Sequence, residues 1–408
     1  MLPITLDLLQ TVAFAGIILF LGYGIRRLVP VLARLNIPAP VVGGLPVAGV
    51  LAILYFQDIQ PIKFDTTLQV PFQNTFFASI GFAASLALLK RGGPLVALFL
   101  ALSIVVVVLQ NVLGAAVAQA LGQHPLLGVL AGSVTMAGGP ATALAFAPLF
   151  EAAGVPGAAT LAVAAAIAGI VAGGVVGGPI ATFLLGRPLR GSGPQRPGAT
   201  TLENLAEEQV PSPPPAAPRG EDVEAYILMK HLVLLVVAVG VGVVVSRWLS
   251  TWMTLPGYIG SMLVAALIRN IDDMTGIFRL SMRVIDDVGN IALALFLVMA
   301  LMTLRLWELA GLALPLLVIL AAQVAMVAVI AALVVPRLMG RDYDAAVMAG
   351  GFAGFMLGTS ANAMANMGAL VERYGPAPKA FLVVPLVGAF FIDFANALLI
   401  TFFLNLWK

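Results

Sequence analysis

The sequence contains no cysteine and only two histidines in 408 residues. Disulfides, thiolate metal ligands and thiol nucleophiles are therefore excluded, and a His-based metal site lacks its ligands. Charge is scarce too: 10% of residues are charged, against roughly 25% in a soluble domain. The opening residues carry neither a basic n-region nor a small-residue cleavage site, so no removable leader is expected. No basic patch interleaved with aromatics occurs, and nucleic acid is not an expected partner.

What fills the chain instead is apolar: 61% of residues are hydrophobic and the mean hydropathy is +1.05. A water-soluble globule could not bury that much, so the chain reads as an integral membrane protein with the lipid bilayer as partner. A spanning helix takes roughly 20 apolar residues. The apolar runs give spans at 5–28, 40–56, 72–89, 95–121 and 160–185, then at 225–245, 254–268, 284–304, 309–335 and 381–404. Before the last span of each half lies a run rich in Gly, Ala, Ser, Thr and Asn, at 125–150 and 344–371. Each has room for two half-spans around a helix-breaking middle and reads as a re-entrant hairpin.

The halves align in order. Pro40 and Gly44 match Pro256 and Gly260 at an offset of 216, Gln110 matches Gln323 at 213, and Gly132 and Gly139 match Gly351 and Gly358 at 219. An odd number of crossings per half turns the second upside down, a transporter signature with binding expected where the repeats meet. With the N-terminus outside, 17 Lys and Arg fall inside and 4 outside, namely Lys63, Arg247, Arg305 and Lys408. That bias obeys the positive-inside rule. The expected organisation is a first repeat at 1–186, a Pro- and charge-rich linker at 187–225 and a second repeat at 226–408. The expected location is the cell (inner) membrane, with both termini outside and the linker cytoplasmic. The linker, with five prolines between Pro211 and Pro218, reads as a tether holding at most a short helix at 202–209.

Polar residues inside the apolar runs carry the functional signal. Asp393 follows ten uncharged residues in the last span. A carboxylate at that depth costs at least ~2.5–3.5 kcal/mol, so it needs a partner or water. Asn396 lies on the same helix face, and together they offer the hard oxygens that suit sodium. A packing role for Asp393 is the alternative. The hairpin middles, Ser133 to Thr142 and Gly354 to Asn362, would free backbone N–H groups for a carboxylate and carbonyls for a cation. Candidate substrate contacts are Ser133, Thr135, Gly138, Gly139, Thr142, Gly358, Thr359, Ser360 and Asn362. Candidate sodium ligands are Asp393, Asn396, Asn366, Asn290 and Gln110. Intramembrane amides can also serve as interhelical glue, and Gly173, Gly174, Gly177 and Gly178 read as packing glycines. An intramembrane enzyme is not expected, because Asp393 is alone at depth and neither His stands near a nucleophile.

With two inverted halves, two hairpins and an acidic last span, the sequence resembles the sodium/glutamate symporter family. The resemblance runs over nearly the whole chain and is carried by Ile37-Pro-Ala-Pro-Val-Val-Gly-Gly44, Gln110-Asn-Val-Leu-Gly114, Leu130-Ala-Gly-Ser-Val-Thr135, Val288-Gly-Asn-Ile-Ala-Leu-Ala-Leu-Phe296, Tyr343-Asp-Ala-Ala346, Ala365-Asn-Met367 and Val384-Pro-Leu-Val-Gly-Ala-Phe-Phe-Ile-Asp393. It implies an all-α polytopic protein of two inverted five-helix repeats. It also implies sodium as coupling ion, no organic cofactor, glutamate or a related small carboxylate as cargo, and similarity in architecture to sodium/citrate carriers. From that follow an elevator mechanism and a homodimer. The alternative is a proton- or sodium-coupled carrier of another small organic anion. The family's first hairpin carries Gly-Gly-x-Gly; here Pro140 and Ala141 follow Gly138-Gly139, and Met356 stands where the second hairpin would have a further glycine.

Overall fold

A computed structural model describes residues 4–59, 62–186, 221–252, 254–309 and 311–407. The expected short helix at 202–209 lies outside them. The described residues are mostly helical. The helices of the first half are α1 (Leu8–Leu28), α2 (Pro30–Arg34), α3 (Ala39–Tyr55), α4 (Gln69–Phe82), α5 (Leu86–Ala120), α6 (Pro125–Val129), α7 (Gly139–Ala152) and α8 (Ala158–Leu185). Those of the second half are α9 (Glu221–Leu249), α10 (Tyr258–Thr275), α11 (Met282–Met302), α12 (Ala313–Leu333), α13 (Val335–Met339), α14 (Tyr343–Leu357), α15 (Ser360–Tyr374), α16 (Pro378–Leu386) and α17 (Ile392–Leu406). Among the described residues, six helical segments are long and apolar enough to cross a membrane: in α1, α5, α8, α9, α11 and the run through α12 and α13. This is an all-α polytopic membrane protein.

Some boundaries differ from the sequence reading, each for a local reason. The span expected at 72–89 ends as a helix at Phe82, and Ser85 then caps α5 by accepting from the Leu88 N–H. Helix α5 turns at Gly93, whose φ is +67°, just before Pro94. The linker's expected last residues, 221–225, are already helical in α9. The last span is interrupted between α16 and α17 by a π-turn over Val387–Phe391, after Pro385. One feature had no sequence signal: Ile4–Thr5 pairs in parallel with Ile62–Lys63 and pins the loop after α3 to the chain start.

The helices pack as two groups. One holds α1, α3, α4, α9, α10 and α11. Its packing depends on missing side chains: Gly43 lies on the Ile18 carbonyl of α1 and Gly44 on Leu301 of α11, while Gly260 lies on the Gly242 carbonyl of α9. The other group holds α5–α8 and α12–α17. There Gly169, Gly173 and Gly177 of α8 face the carbonyls of Leu357, Gly354 and Gly350 in turn, so α8 and α14 run antiparallel in close contact. Gly173 and Gly177 are thus packing glycines. Nothing lies within 4 Å of a Cβ added at Gly178, and only the Asn36 amide nitrogen comes that near at Gly174. The groups meet along an aromatic seam, where Tyr258 of α10 stacks on Phe77 of α4 at 3.7 Å between centroids and takes Phe146 of α7 edge-on at 6.1 Å.

Candidate substrate and ion site at the hairpin tips

Both Gly/Ala-rich runs break where small and hydroxyl residues weaken the helix. The first leaves helical geometry at Gly132 within a π-turn over Leu130–Val134, then turns through Thr135 to Gly138 before α7 begins. Pro140 falls in the first turn of α7, where a missing N–H breaks no helix bond. The second breaks at Gly358 and Thr359. Its arms then return alongside each other: Gly354 faces Asn362 and Gly351 faces Met367.

The two tips touch. Gly139 has φ +64°, and a Cβ there would lie 3.1 Å from the Thr359 methyl and 3.4 Å from the Gly358 carbonyl. Each tip also starts a helix, α7 after Gly138 and α15 after Thr359, and neither start has a side-chain cap. Two uncapped helix N-termini with their partial positive charge therefore meet. Thr142 packs against Gly138, and Ser360 donates to the Gly388 carbonyl in the π-turn before Asp393.

A second set of polar groups surrounds Ser133. Its backbone N–H donates to the Asn111 side chain at 3.2 Å, and its carbonyl accepts from Asn396 Nδ2 at 3.1 Å. Asp393 stands one helical turn before Asn396 on α17 and is half-buried. Among the described residues it has no hydrogen-bond or ion-pair partner, though it is within electrostatic reach of the Tyr258 hydroxyl. Ser133 Oγ, Thr135 Oγ1, Asn396 Oδ1, Asn362 Oδ1 and Gln110 Oε1 are buried oxygens without partners. Neutral oxygens together with one carboxylate are the kind of donor set that suits a monovalent hard cation. Among the described residues no group of three His, Cys, Asp or Glu could hold a metal.

The side-chain nitrogens of the expected amides in this group are spoken for. Asn362 and Asn366 donate to the Ile170 and Gly173 carbonyls of α8, docking the second hairpin there. Gln110 donates to the Met356 carbonyl at 2.8 Å and receives Gln323 on its own carbonyl at 2.6 Å. Asn290 is exposed on α11, in the other helix group, and is not brought to the tips. Asn111 and Tyr258 stand at the site without having been singled out for it. Asn111 looked like any intramembrane amide, and Tyr258 sits at a helix start, where aromatics are ordinary.

The fold and these tips define an all-α polytopic membrane protein with a polar site where two helices break. A family model described as Sodium/glutamate symporter matches residues 4–376. Curated relatives named Sodium/glutamate symporter agree: those of Escherichia coli (strain K12) and Shigella flexneri are each 40% identical over 404 residues, covering 98% of both chains. One from Haemophilus influenzae is also 40% identical over 404 residues, covering 97% of this chain and 96% of its own. The chain belongs to the sodium/glutamate symporter family.

Proposed function

We propose that this protein is a secondary active transporter that couples sodium to the uptake of glutamate or a closely related small carboxylate. The observation that carries the reading is the contact of Gly139 with Thr359, which brings two uncapped helix N-termini together inside an apolar protein. They supply positive field for a carboxylate in the absence of a midplane Arg or Lys. Asp393, Asn396 and the orphan oxygens of Ser133 and Thr135 would hold sodium nearby. Cation and anion then bind better together than apart, which is the thermodynamic basis of symport.

The membrane architecture is part of this proposal. Two inverted repeats at 1–186 and 226–408 are supported by the exchange of partners between halves: α3 packs on α11 as α10 packs on α4, and α1 pairs with α3 as α9 pairs with α10. The second hairpin lies on α8, while the first lies against α17. Both hairpins are re-entrant in this reading, since α6 with its π-turn, α7, α14 and α15 are each short of a span. The group containing the hairpins moves as an elevator past the α1, α3, α4, α9–α11 group, which holds the homodimer together. The protein sits in the cell (inner) membrane, termini outside and linker inside, in line with the 17-to-4 charge bias.

A second reading follows from the unpartnered Asp393: a lone carboxylate can carry a proton instead, with another small organic anion as cargo. Uptake in proteoliposomes across a panel of amino and dicarboxylic acids, with and without a sodium gradient and at several pH values, separates the two. Sodium-dependent glutamate uptake is the expected result. Uptake that tracks pH and ignores sodium would replace it with the second reading.

A further inference from the structure

The chain passes between the two helix groups three times: from α4 to α5, through the linker from α8 to α9, and from α11 to α12. The first and last passages are short and lie at opposite ends of α11. Phe82, at the end of α4, clusters with Ile285 at the start of α11. Gln69, at the start of α4, lines a cavity with Thr303 just past the end of α11. Each of these passages ends in a glycine with positive φ, Gly93 at +67° and Gly311 at +91°. They stand 218 residues apart, within the offsets of 213 to 219 by which the halves align. A Cβ added at either would meet nothing within 4 Å, so neither glycine serves a close approach. What each supplies is its backbone conformation. Gly93, with ψ −163°, occupies a region open essentially to glycine alone.

Before each glycine lies an arm fastened to the group that holds α1, α3, α4 and α9–α11. On the first arm, 83–92, the Asn270 amide of α10 donates to the Ala84 carbonyl at 2.7 Å and accepts from the Leu86 N–H at 3.0 Å. Ser85 donates to Asp273 at 2.6 Å, and Arg269 pairs with the same carboxylate at 2.9 Å. The far end of this arm already reaches the hairpin group, since a Cβ at Gly92 would lie 3.0 Å from Leu386 of α16. On the second arm, 303–309, Trp307 in the short turn Leu306–Leu309 stacks on Tyr55 of α3 at 3.9 Å and 7°. The hairpin group meets this arm at Thr160, which donates to the Arg305 carbonyl at 3.2 Å. Beyond each glycine runs a long helix of the hairpin group, the rest of α5 from Pro94 and α12 from Ala313.

We infer that Gly93 and Gly311 are paired hinges: the two arms stay with their group while the hairpin group moves, and both glycines leave the positive-φ region as it does so. This rests on the reading that the hairpin group slides past the other. A residue without Cβ crosses between positive and negative φ at little cost, whereas alanine is penalised on the positive side. One hinge at each end of α11 lets the hairpin group shift along the seam without tilting away from it.

The test reads populations rather than activity. The chain lacks cysteine, so spin labels at Leu9→Cys on α1 and Ala152→Cys on α7, both exposed, report the distance between the groups. The purified protein is measured in choline, in sodium and in sodium with glutamate, and wild type should show two distances. Gly93→Ala and Gly311→Ala should each shift the ratio of the two roughly five- to thirtyfold, away from the distance that matches this structure. Gly122→Ala and Gly276→Ala are the controls: their φ values of +70° and +66° are similar and their surroundings equally open, but each lies inside one group. They should lower the melting temperature and leave the ratio within about twofold of wild type. Asn variants at the two hinges, which tolerate positive φ better, should fall between Ala and wild type and serve where an Ala variant does not fold. Releasing the first arm with Asn270→Ala adds a second place to bend, so Gly93→Ala should lose most of its shift in that background. A full shift there overturns the fastened arm. Two distances in wild type, with the hinge variants no different from the controls, overturn the hinges and leave the sliding reading standing. A single wild-type distance under every condition overturns the sliding reading and the hinges with it.

Discussion

Asn396 donates through Nδ2 to the Ser133 carbonyl at 3.1 Å, tying the last helix to the first hairpin where that hairpin leaves helical geometry. The same amide leaves its oxygen free, one turn from Asp393. A bond between the two halves of the chain thus leaves a buried, unpaired oxygen one helical turn from the carboxylate.

Replacing Asp393 with Asn keeps the shape and removes the charge. Sodium dependence of substrate affinity should be lost or strongly weakened, with thermal stability close to wild type. Substrate affinity titrated against sodium in both proteins is the measurement. A variant with wild-type sodium dependence would make Asp393 structural.

Gly139→Ala forces a side chain onto φ +64°, at a cost of about 1–2 kcal/mol, and pushes on the Thr359 methyl. The tips should separate and transport fall sharply, while the protein still purifies as a folded species. Ala141→Gly tests the same tip from the other direction. Altered specificity or affinity is expected, and unchanged transport would assign Ala141 to packing.

Gly177→Ala and Gly178→Ala form a matched pair. A Cβ at Gly177 would clash with Asn366 Nδ2 and meet the Gly350 carbonyl at 2.6 Å, whereas Gly178 has nothing within 4 Å. The first should destabilise by about 1–3 kcal/mol and loosen the second hairpin. The second should be neutral or gain up to about 1 kcal/mol from helix propensity. Melting temperatures in detergent decide it.

Removing the Asn362 side chain as Ala abolishes its bond to the Ile170 carbonyl. A loss of about 1–3 kcal/mol is expected, again visible in melting. Protease sensitivity should rise specifically in the second hairpin.

The native chain has no cysteine, so His124→Cys and Ala152→Cys report the sidedness of the first hairpin cleanly. Both positions are exposed at the ends of the hairpin arms. Both should react with an impermeant reagent added from outside. Labelling from opposite faces would overturn the re-entrant, five-plus-five scheme.

The sequence alone determined that the chain lives in a membrane, because composition fixes the solvent a chain can tolerate. It also marked where helices run and where the two hairpin regions break, since glycine, proline and hydroxyl residues act on their own backbone. Asp393 was legible for the same reason: a charge in an apolar run is costly wherever the helix ends up. Only the tertiary structure decided which marked residues come together. It joined Gly139 to Thr359 and Ser133 to Asn396, and it brought in Asn111 and Tyr258. It turned Asn362, Asn366 and Gln110 toward carbonyls of neighbouring helices, and it left Asn290 exposed on α11. These outcomes depend on which face each helix presents, and a uniformly apolar helix carries no amphipathic pattern to announce its face. The strand pair at Lys63 was hidden for a related reason, because two residues of extended chain have no period to read. Contacts between residues hundreds of positions apart are set by packing, which the sequence encodes only through the assembled fold.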